Sequence, residues 1–298
     1  MSLTNCQLCG HRCGIDRLAG QRGLCGAGAK IEISSYCLHH GEEPVISGAK
    51  GSGTIFFTHC SLRCVFCQNY QISQGASKQQ EVSSEELSGI MLQLQNQGAH
   101  NVNLVSPTHY GPQIVEALKE ARANGLKLPV VWNSSGYDSL ELLEALDGLV
   151  DIYLPDFKYG DDSAALKYSG AKNYFETAKA AIFEMFRQVG DLALAEDGIA
   201  RRGLIVRHLV LPGGLAGSRA VLDYLALSPD LFVSLMAQYS PRHRAAEFPE
   251  LATSLTAAEY NEVVAYAERI GLDNLFIQDP RSNEAYLPDF EKKEPFGQ

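Results

Sequence analysis

No run of apolar residues in this chain approaches the roughly 20 that a membrane-spanning helix needs. The opening stretch MSLTNCQLCGHRC lacks the apolar core of a secretory signal, so the expected compartment is the cytoplasm. Basic residues do not predominate. The 25 Lys and Arg stand against 35 Asp and Glu, a net charge of −10 over 298 residues. Neither a membrane nor a nucleic acid is therefore an expected partner. No low-complexity tract and no repeat of fixed period is present, and no cysteine follows Cys67. At 45% hydrophobic and 20% charged, the balance is that of an ordinary globular protein. It excludes disorder, a collagen-like repeat and a long coiled coil.

What the chain does have is eight cysteines: Cys6, Cys9, Cys13, Cys25, Cys37, Cys60, Cys64 and Cys67. A disulfide framework spreads along a secreted chain. A set crowded into the first quarter, without a signal segment, reads instead as metal or iron–sulfur ligation.

Residues 1–50 are rich in Cys, Gly and His and poor in periodic apolar residues, which predicts a small Cys-rich segment organised by a metal or cluster. From residue 51 onward, strand-like and helix-like runs alternate. Strands are predicted at 54–57, 101–105, 129–132, 150–154, 204–211 and 231–236, with a short terminal one at 274–278. Capping boxes are read at Ser83/Glu86, Asp138/Glu141 and Thr256/Glu259, and Pro112 opens a helix that runs to Gly125. Residues 163–189 read as helical, 192–198 as one arm of a hairpin-like insertion, and 72–82 as a polar loop. Six alternations with apolar strands predict an α/β fold with a parallel sheet and right-handed crossovers. They are too few for a full eight-fold barrel but fit a partial TIM-type one. Two units are expected, a Cys-rich segment over 1–50 and a barrel domain over 51–298. Active sites in such folds lie at the carboxyl ends of the strands, so the residues just after each strand carry the chemistry.

After the first of these strands comes His59-Cys60-Ser61-Leu62-Arg63-Cys64-Val65-Phe66-Cys67-Gln68-Asn69. Three thiolates at C-x3-C-x-aromatic-C spacing can hold three irons of a [4Fe–4S] cluster and leave the fourth open. The competing reading is a zinc site completed by His59 or a distant cysteine. The spacing, with Phe66 before the last Cys, resembles the signature of the radical S-adenosylmethionine (radical SAM) superfamily. Gln68-Asn69 is similar to its pyruvate formate-lyase activating enzyme branch. The resemblance covers roughly residues 50–280 and implies a partial (β/α)6 barrel. It also implies a [4Fe–4S] cluster on Cys60, Cys64 and Cys67 that cleaves SAM to methionine and a 5′-deoxyadenosyl radical.

The remaining strand ends compare with that branch as follows. Where activating enzymes carry Gly-Gly-Glu, this sequence has Ser106-Pro107-Thr108-His109, so Thr108 is either a polar SAM contact or part of a helix cap. Asn133-Ser134-Ser135-Gly136 stands where the family has Asp-Thr-Asn-Gly, which makes Asn133 and Ser134 candidate SAM contacts or an ordinary polar turn. Asp156-Phe157-Lys158 resembles the Asp-x-Lys element, implying a SAM-side role for both residues and a monovalent cation at Asp156; a surface salt bridge is the alternative. Arg207 and His208 point to opposite faces of their strand. Arg207 is the expected SAM contact and His208 a structural histidine. Tyr239 either shapes the substrate mouth or packs.

The N-terminal spacing Cys6-x2-Cys9-x3-Cys13-x11-Cys25 supplies four thiolates, enough for zinc or a closed second Fe–S cluster. It is similar to the N-terminal region of a subgroup of activating-enzyme-like proteins. Cys37, His39 and His40 are alternative ligands. The expected protein is thus a radical SAM enzyme drawing electrons from a flavodoxin- or ferredoxin-type donor, with a glycyl radical enzyme as the implied protein partner. Radical modification of another protein or of a small molecule is the second enzyme reading, and a non-catalytic zinc or redox-sensing module the reading from a different class.

Overall fold

The structure, a computed structural model, describes residues 1–75, 79–228, 230–281, 287–292 and 294–296. Residues 76–78, part of the loop expected over 72–82, lie outside the described residues. In chain order the elements are β1 (Ile31–His39), α1 (Pro44–Ser47), β2 (Ser52–Phe57), α2 (Tyr70–Ser73), β3 (Gln80–Val82), α3 (Ser84–Asn96), β4 (Val102–Val105), α4 (Gly111–Ala123), β5 (Val130–Asn133) and α5 (Leu140–Leu146). They continue with β6 (Ile152–Tyr153), α6 (Asp162–Ser169), α7 (Tyr174–Val189), β7 (Ala193–Leu194), β8 (Ala200–Leu209), α8 (Ser218–Leu225), β9 (Phe232–Met236), α9 (Ala257–Arg269) and β10 (Leu275–Ile277).

One sheet runs β10-β9-β8-β6-β5-β4-β2-β1-β3, with β7 pairing outside that path to β8. Every neighbouring pair from β2 to β10 is parallel, while β1 is antiparallel to both β2 and β3. The sheet does not close, so this is the expected partial barrel. The central strands show why. Every residue of β2 (SGTIFF) and β5 (VVWN) is buried, as parallel strands covered on both faces must be. Ser83 and Thr256 form the two reciprocal capping boxes that start α3 and α9. The 192–198 hairpin arm is the antiparallel β7–β8 pair.

Two local expectations are corrected and a third is refined. Ile31–His39, read with the Cys-rich segment, is a strand of the sheet, with Ile31 and Ile33 buried beneath α3 and β2. Asp138 does not cap a helix: Ser139 does, accepting from Leu142 N–H, and Asp138 is buried. The 163–189 helix breaks into α6 and α7 at Gly170, whose φ of +69° is the left-handed C-terminal stop for which glycine is suited.

Candidate active site

The loop after β2 is built to hold three thiols in a fixed arc. At its start Thr58 donates from N–H and Oγ1 to Glu32 O at 3.0 and 3.2 Å. The next residue, His59, takes a positive φ of 65° and turns the chain out of the strand. Its ring Nε2 bonds Glu32 Oε2 at 3.0 Å. Further along, Arg63 N–H donates to Ser169 O at 3.0 Å and Val65 N–H to Tyr168 O at 2.8 Å, tying the loop to the end of α6. The thiols have polar company: Ser169 Oγ donates to Cys64 Sγ at 2.9 Å, Ser73 Oγ lies 3.2 Å from Cys67 Sγ, and Leu62 N–H donates to Cys60 Sγ at 3.4 Å. Burial and the mutual repulsion of their thiolates push Cys60 up to about 12 and Cys67 up to about 11. Three such thiols become ligands only when a strongly positive centre draws off their protons, as bound metal does.

All three line one cavity of about 570 Å³ at the carboxyl ends of the parallel strands. Phe66, Asn133, Ser134, Asp156, Lys158 and Arg207 line it too. Lys158 Nζ lies 2.6 Å from Asp156 Oδ2. Burial alone would depress the Lys158 ammonium, but the Asp156 carboxylate outweighs it and keeps the side chain charged. Phe66 packs edge-on against Tyr239, with ring centres 5.7 Å apart. Tyr239 is buried, its hydroxyl donating to Leu251 O at 2.5 Å, so it packs. His208, on the face opposite Arg207, is the expected structural histidine. It is buried between Phe157 O at 2.7 Å and Ser218 Oγ at 2.8 Å, and burial lowers it to about 4.

Two of the proposed contacts are spent elsewhere. Thr108 lies outside the cavity lining, its Oγ1 donating to buried Asp138 Oδ1 at 2.8 Å. Ser134 reaches the cavity, but its Oγ donates to Asp138 Oδ2 at 2.5 Å. Trp132 Nε1 completes the set at 3.2 Å. Asp138 therefore ties the ends of β4 and β5 together.

Sequence reasoning missed the loop between β1 and α1. His39, His40, Glu42 and Glu43 all line the cavity. Arg207 Nε and Nη2 donate to the two oxygens of Glu43 at 2.8 and 2.6 Å, and Nη2 also donates to Glu42 Oε2. Nη1 reaches Asn133 Oδ1 at 3.4 Å. The Glu43 carboxyl is lowered despite its burial, because the Arg207 guanidinium outweighs desolvation. The local signal was Gly41-Glu42-Glu43-Pro44, a paired carboxylate at a helix start. The loop also takes His39 and His40 away from the N-terminal cysteines, while Cys37 packs on the Phe56–Ile72–Phe290 cluster.

The four N-terminal cysteines share another neighbourhood. Cys6, Cys13 and Cys25 each stand close enough to disfavour a charge on Cys9. None of the eight cysteines is in a disulfide. Among the described residues no three His, Cys, Asp or Glu side chains converge as the ligands of a single ion. His59, one of the two completions considered for a zinc site, is not among the residues that line the cavity.

The chain matches the Radical SAM superfamily over residues 54–190. Over 285 residues it is 33% identical to the uncharacterized protein MJ0674 of Methanocaldococcus jannaschii, covering 91% of this chain and 77% of that one. The chain belongs to the radical SAM superfamily. Among solved structures its fold is similar to that of Streptococcus suis SuiB bound to precursor peptide SuiA, at 13% identity and a TM-score of 0.50, covering 74% of this chain and 46% of SuiB. Methylornithine synthase (PylB) is similar at 17% identity and 0.50, covering 73% and 60%. The maturase HydG of Carboxydothermus hydrogenoformans is similar at 14% identity and 0.51, covering 75% and 52%. The chain thus spans about half to three-fifths of these longer proteins, and the likeness is one of fold. Radical SAM membership implies a [4Fe–4S] cluster and SAM. The site fits them: three thiols, one buried and two half-buried, line one cavity at the strand ends and could each hold a separate iron.

Proposed function

We propose that this radical SAM enzyme binds SAM across the cavity and directs the radical chemistry at a protein substrate, the backbone glycine of a glycyl radical enzyme. The observation that carries the SAM reading is the convergence of Cys60, Cys64 and Cys67 with Asn133, Asp156, Lys158 and Arg207 on one cavity. When bound, the cluster and SAM supply a 5′-deoxyadenosyl radical able to take a hydrogen atom, with the electron coming from a flavodoxin- or ferredoxin-type donor. The chain's own residues bind and orient. Lys158 offers a charged donor for the SAM carboxylate, while Asn133 offers an amide. Glu42, Glu43 and Asp156 carry three negative charges against the two positive ones of Arg207 and Lys158. That excess suits a ligand bearing both an ammonium and a sulfonium. Since Lys158 already balances Asp156, this arrangement needs no monovalent cation. His39 Nδ1, buried on the cavity wall without a partner, is a further polar atom for the ligand.

The support for a glycine target is the resemblance at Gln68-Asn69 and Asp156-x-Lys158. The second reading is a small-molecule substrate, favoured by one observation. Phe276, Ile277, Gln278, Asp279, Pro288 and Phe296 also wall the cavity, and a cleft of this size suits a small ligand. Anaerobic incubation with reductant, SAM and a candidate glycyl radical enzyme separates the two. The proposal expects a carbon-centred radical on the partner by electron paramagnetic resonance. SAM cleavage without it, restored by a small molecule, favours the second reading.

A further inference from the structure

We propose that Cys6, Cys9, Cys13 and Cys25 hold a second, fully cysteine-ligated iron–sulfur cluster, packed against the loop that carries the catalytic cysteines. The first 30 residues contain no helix and no strand. Their few apolar residues do not make a core of their own: Leu8 and Ala27 are buried against the barrel's core, while Leu18 is 64% and Leu24 43% exposed. Yet the backbone follows a defined path. Cys6 N–H donates to Ile15 O at 3.0 Å and Gly14 N–H to Cys6 O at 2.9 Å, closing a loop that carries Cys9 and Cys13. A turn from Gly23 O to Gly26 N–H, at 3.0 Å, presents Cys25. Gly23 lies so near Cys13 that a Cβ on it would stand 2.8 Å from Cys13 Sγ. Cys6 and Cys9 are buried where the segment docks, beside Leu8 and Ala27. A segment with this composition gains its folding energy from whatever its thiols bind.

The donor set selects the group. Four thiols and no histidine suit either zinc or a cluster. Structural zinc sites usually draw their thiolates from two paired short-spaced elements, whereas Cys6, Cys9 and Cys13 lie within eight residues and the fourth, Cys25, stands apart, the three-plus-one pattern of ferredoxin-type clusters, which favours the cluster. The two sets also differ in number. Three thiols leave an iron open for a substrate, while four leave none, so the second cluster would be closed.

The segment is docked on the barrel. Gly10 N–H donates to Tyr137 O at 3.0 Å and Ser139 N–H to Leu8 O at 3.1 Å. Between Cys9 and Cys13, His11 Nε2 bonds Ser61 O at 2.8 Å, beside Cys60. Arg17, buried, donates through Nη1 to His109 O at 2.5 Å. The site therefore adjoins the cavity loop without belonging to the cavity, and its assignment is independent of the substrate.

The test is metal and sulfide analysis of anaerobically reconstituted full-length protein. The Cys60→Ala/Cys64→Ala/Cys67→Ala variant is expected to retain about two to four irons, with matching acid-labile sulfide. Zinc alone or no metal in that variant would overturn the proposal. The Cys9→Ser/Cys13→Ser variant is expected to lose that share of iron and keep the SAM-induced change in the spectrum of the catalytic cluster. Unchanged iron there would also overturn it. Should either variant fail to fold, the wild-type iron content decides: more than about four per chain supports the second cluster, and four or fewer contradicts it.

Discussion

At the residue scale, the Asp156–Lys158 pair shows how this site handles charge. An acid and an ammonium, each less than a fifth exposed, are held 2.6 Å apart on the cavity wall. Burying either alone is costly, so each depends on the other until a ligand arrives. Asp156→Asn removes a charge-assisted contact that positions Lys158. SAM affinity should fall about ten- to a hundred-fold, equivalent to about 1.5–3 kcal/mol, while the cluster spectrum persists. A SAM titration showing affinity within about two-fold of wild type (about 0.4 kcal/mol) would remove Asp156 from the site. The buried histidines lead to a pH prediction. His208 is lowered to about 4 and His109 to about 3, both by burial. Their pKa values are depressed in the folded state, so the unfolded chain takes up more protons as pH falls below about 6.5. Stability should be complete above that pH and decline from about 6.5 toward 4. A thermal midpoint that stays flat across that range would contradict the neutral, buried assignment.

At the scale of elements, the loop before α1 and the end of β8 are locked by Arg207 between two carboxylates. Arg207→Met keeps the volume but leaves Glu42 and Glu43 uncompensated, and should cost about 3–5 kcal/mol in urea unfolding. A loss below about 1 kcal/mol would mean that the triad behaves as an exposed ion pair. Gly136 joins the ends of β5 and β6 in another way. Its φ is +70°, and a Cβ there would stand 2.4 Å from Asp156 O. Gly136→Ala should therefore destabilise the fold by about 1–3 kcal/mol and loosen Asp156, seen as weaker SAM binding. Wild-type stability and SAM affinity in that variant would refute the close approach.

What was legible at this scale follows from how local each signal is. The capping boxes of α3 and α9 each lie within four residues, and both formed as read. The buried runs of β2 and β5 are contiguous and were read as strands. β1 escaped because only Ile31, Glu32, Ile33 and His39 of it are buried, two of them polar, and its remaining order comes from pairing with β2 and β3. Glu42 and Glu43 escaped for a similar reason. Their partner Arg207 is 164 residues away from Glu43, and no local pattern announces such a contact. Thr108 and Ser134 were read as ligand contacts, or else as part of a cap and of a polar turn, because of their strand-end positions. Buried Asp138, read as a cap, accepts hydrogen bonds from both.

For the whole molecule, the strand ends of the open sheet carry a cavity lined by the cluster loop, the β1–α1 loop and C-terminal residues. Chemistry at the strand ends is thereby sheltered on several sides, as radical chemistry requires if water and protein are to be spared. The central claim is that Cys60, Cys64 and Cys67 together make the reactive centre on that cavity. The most direct measurement is 5′-deoxyadenosine formed from SAM under anaerobic reduction, by the wild-type protein and by the three single Cys→Ala variants. The account predicts product from the wild type and none above background from any variant. Full product from any one of the three would contradict it.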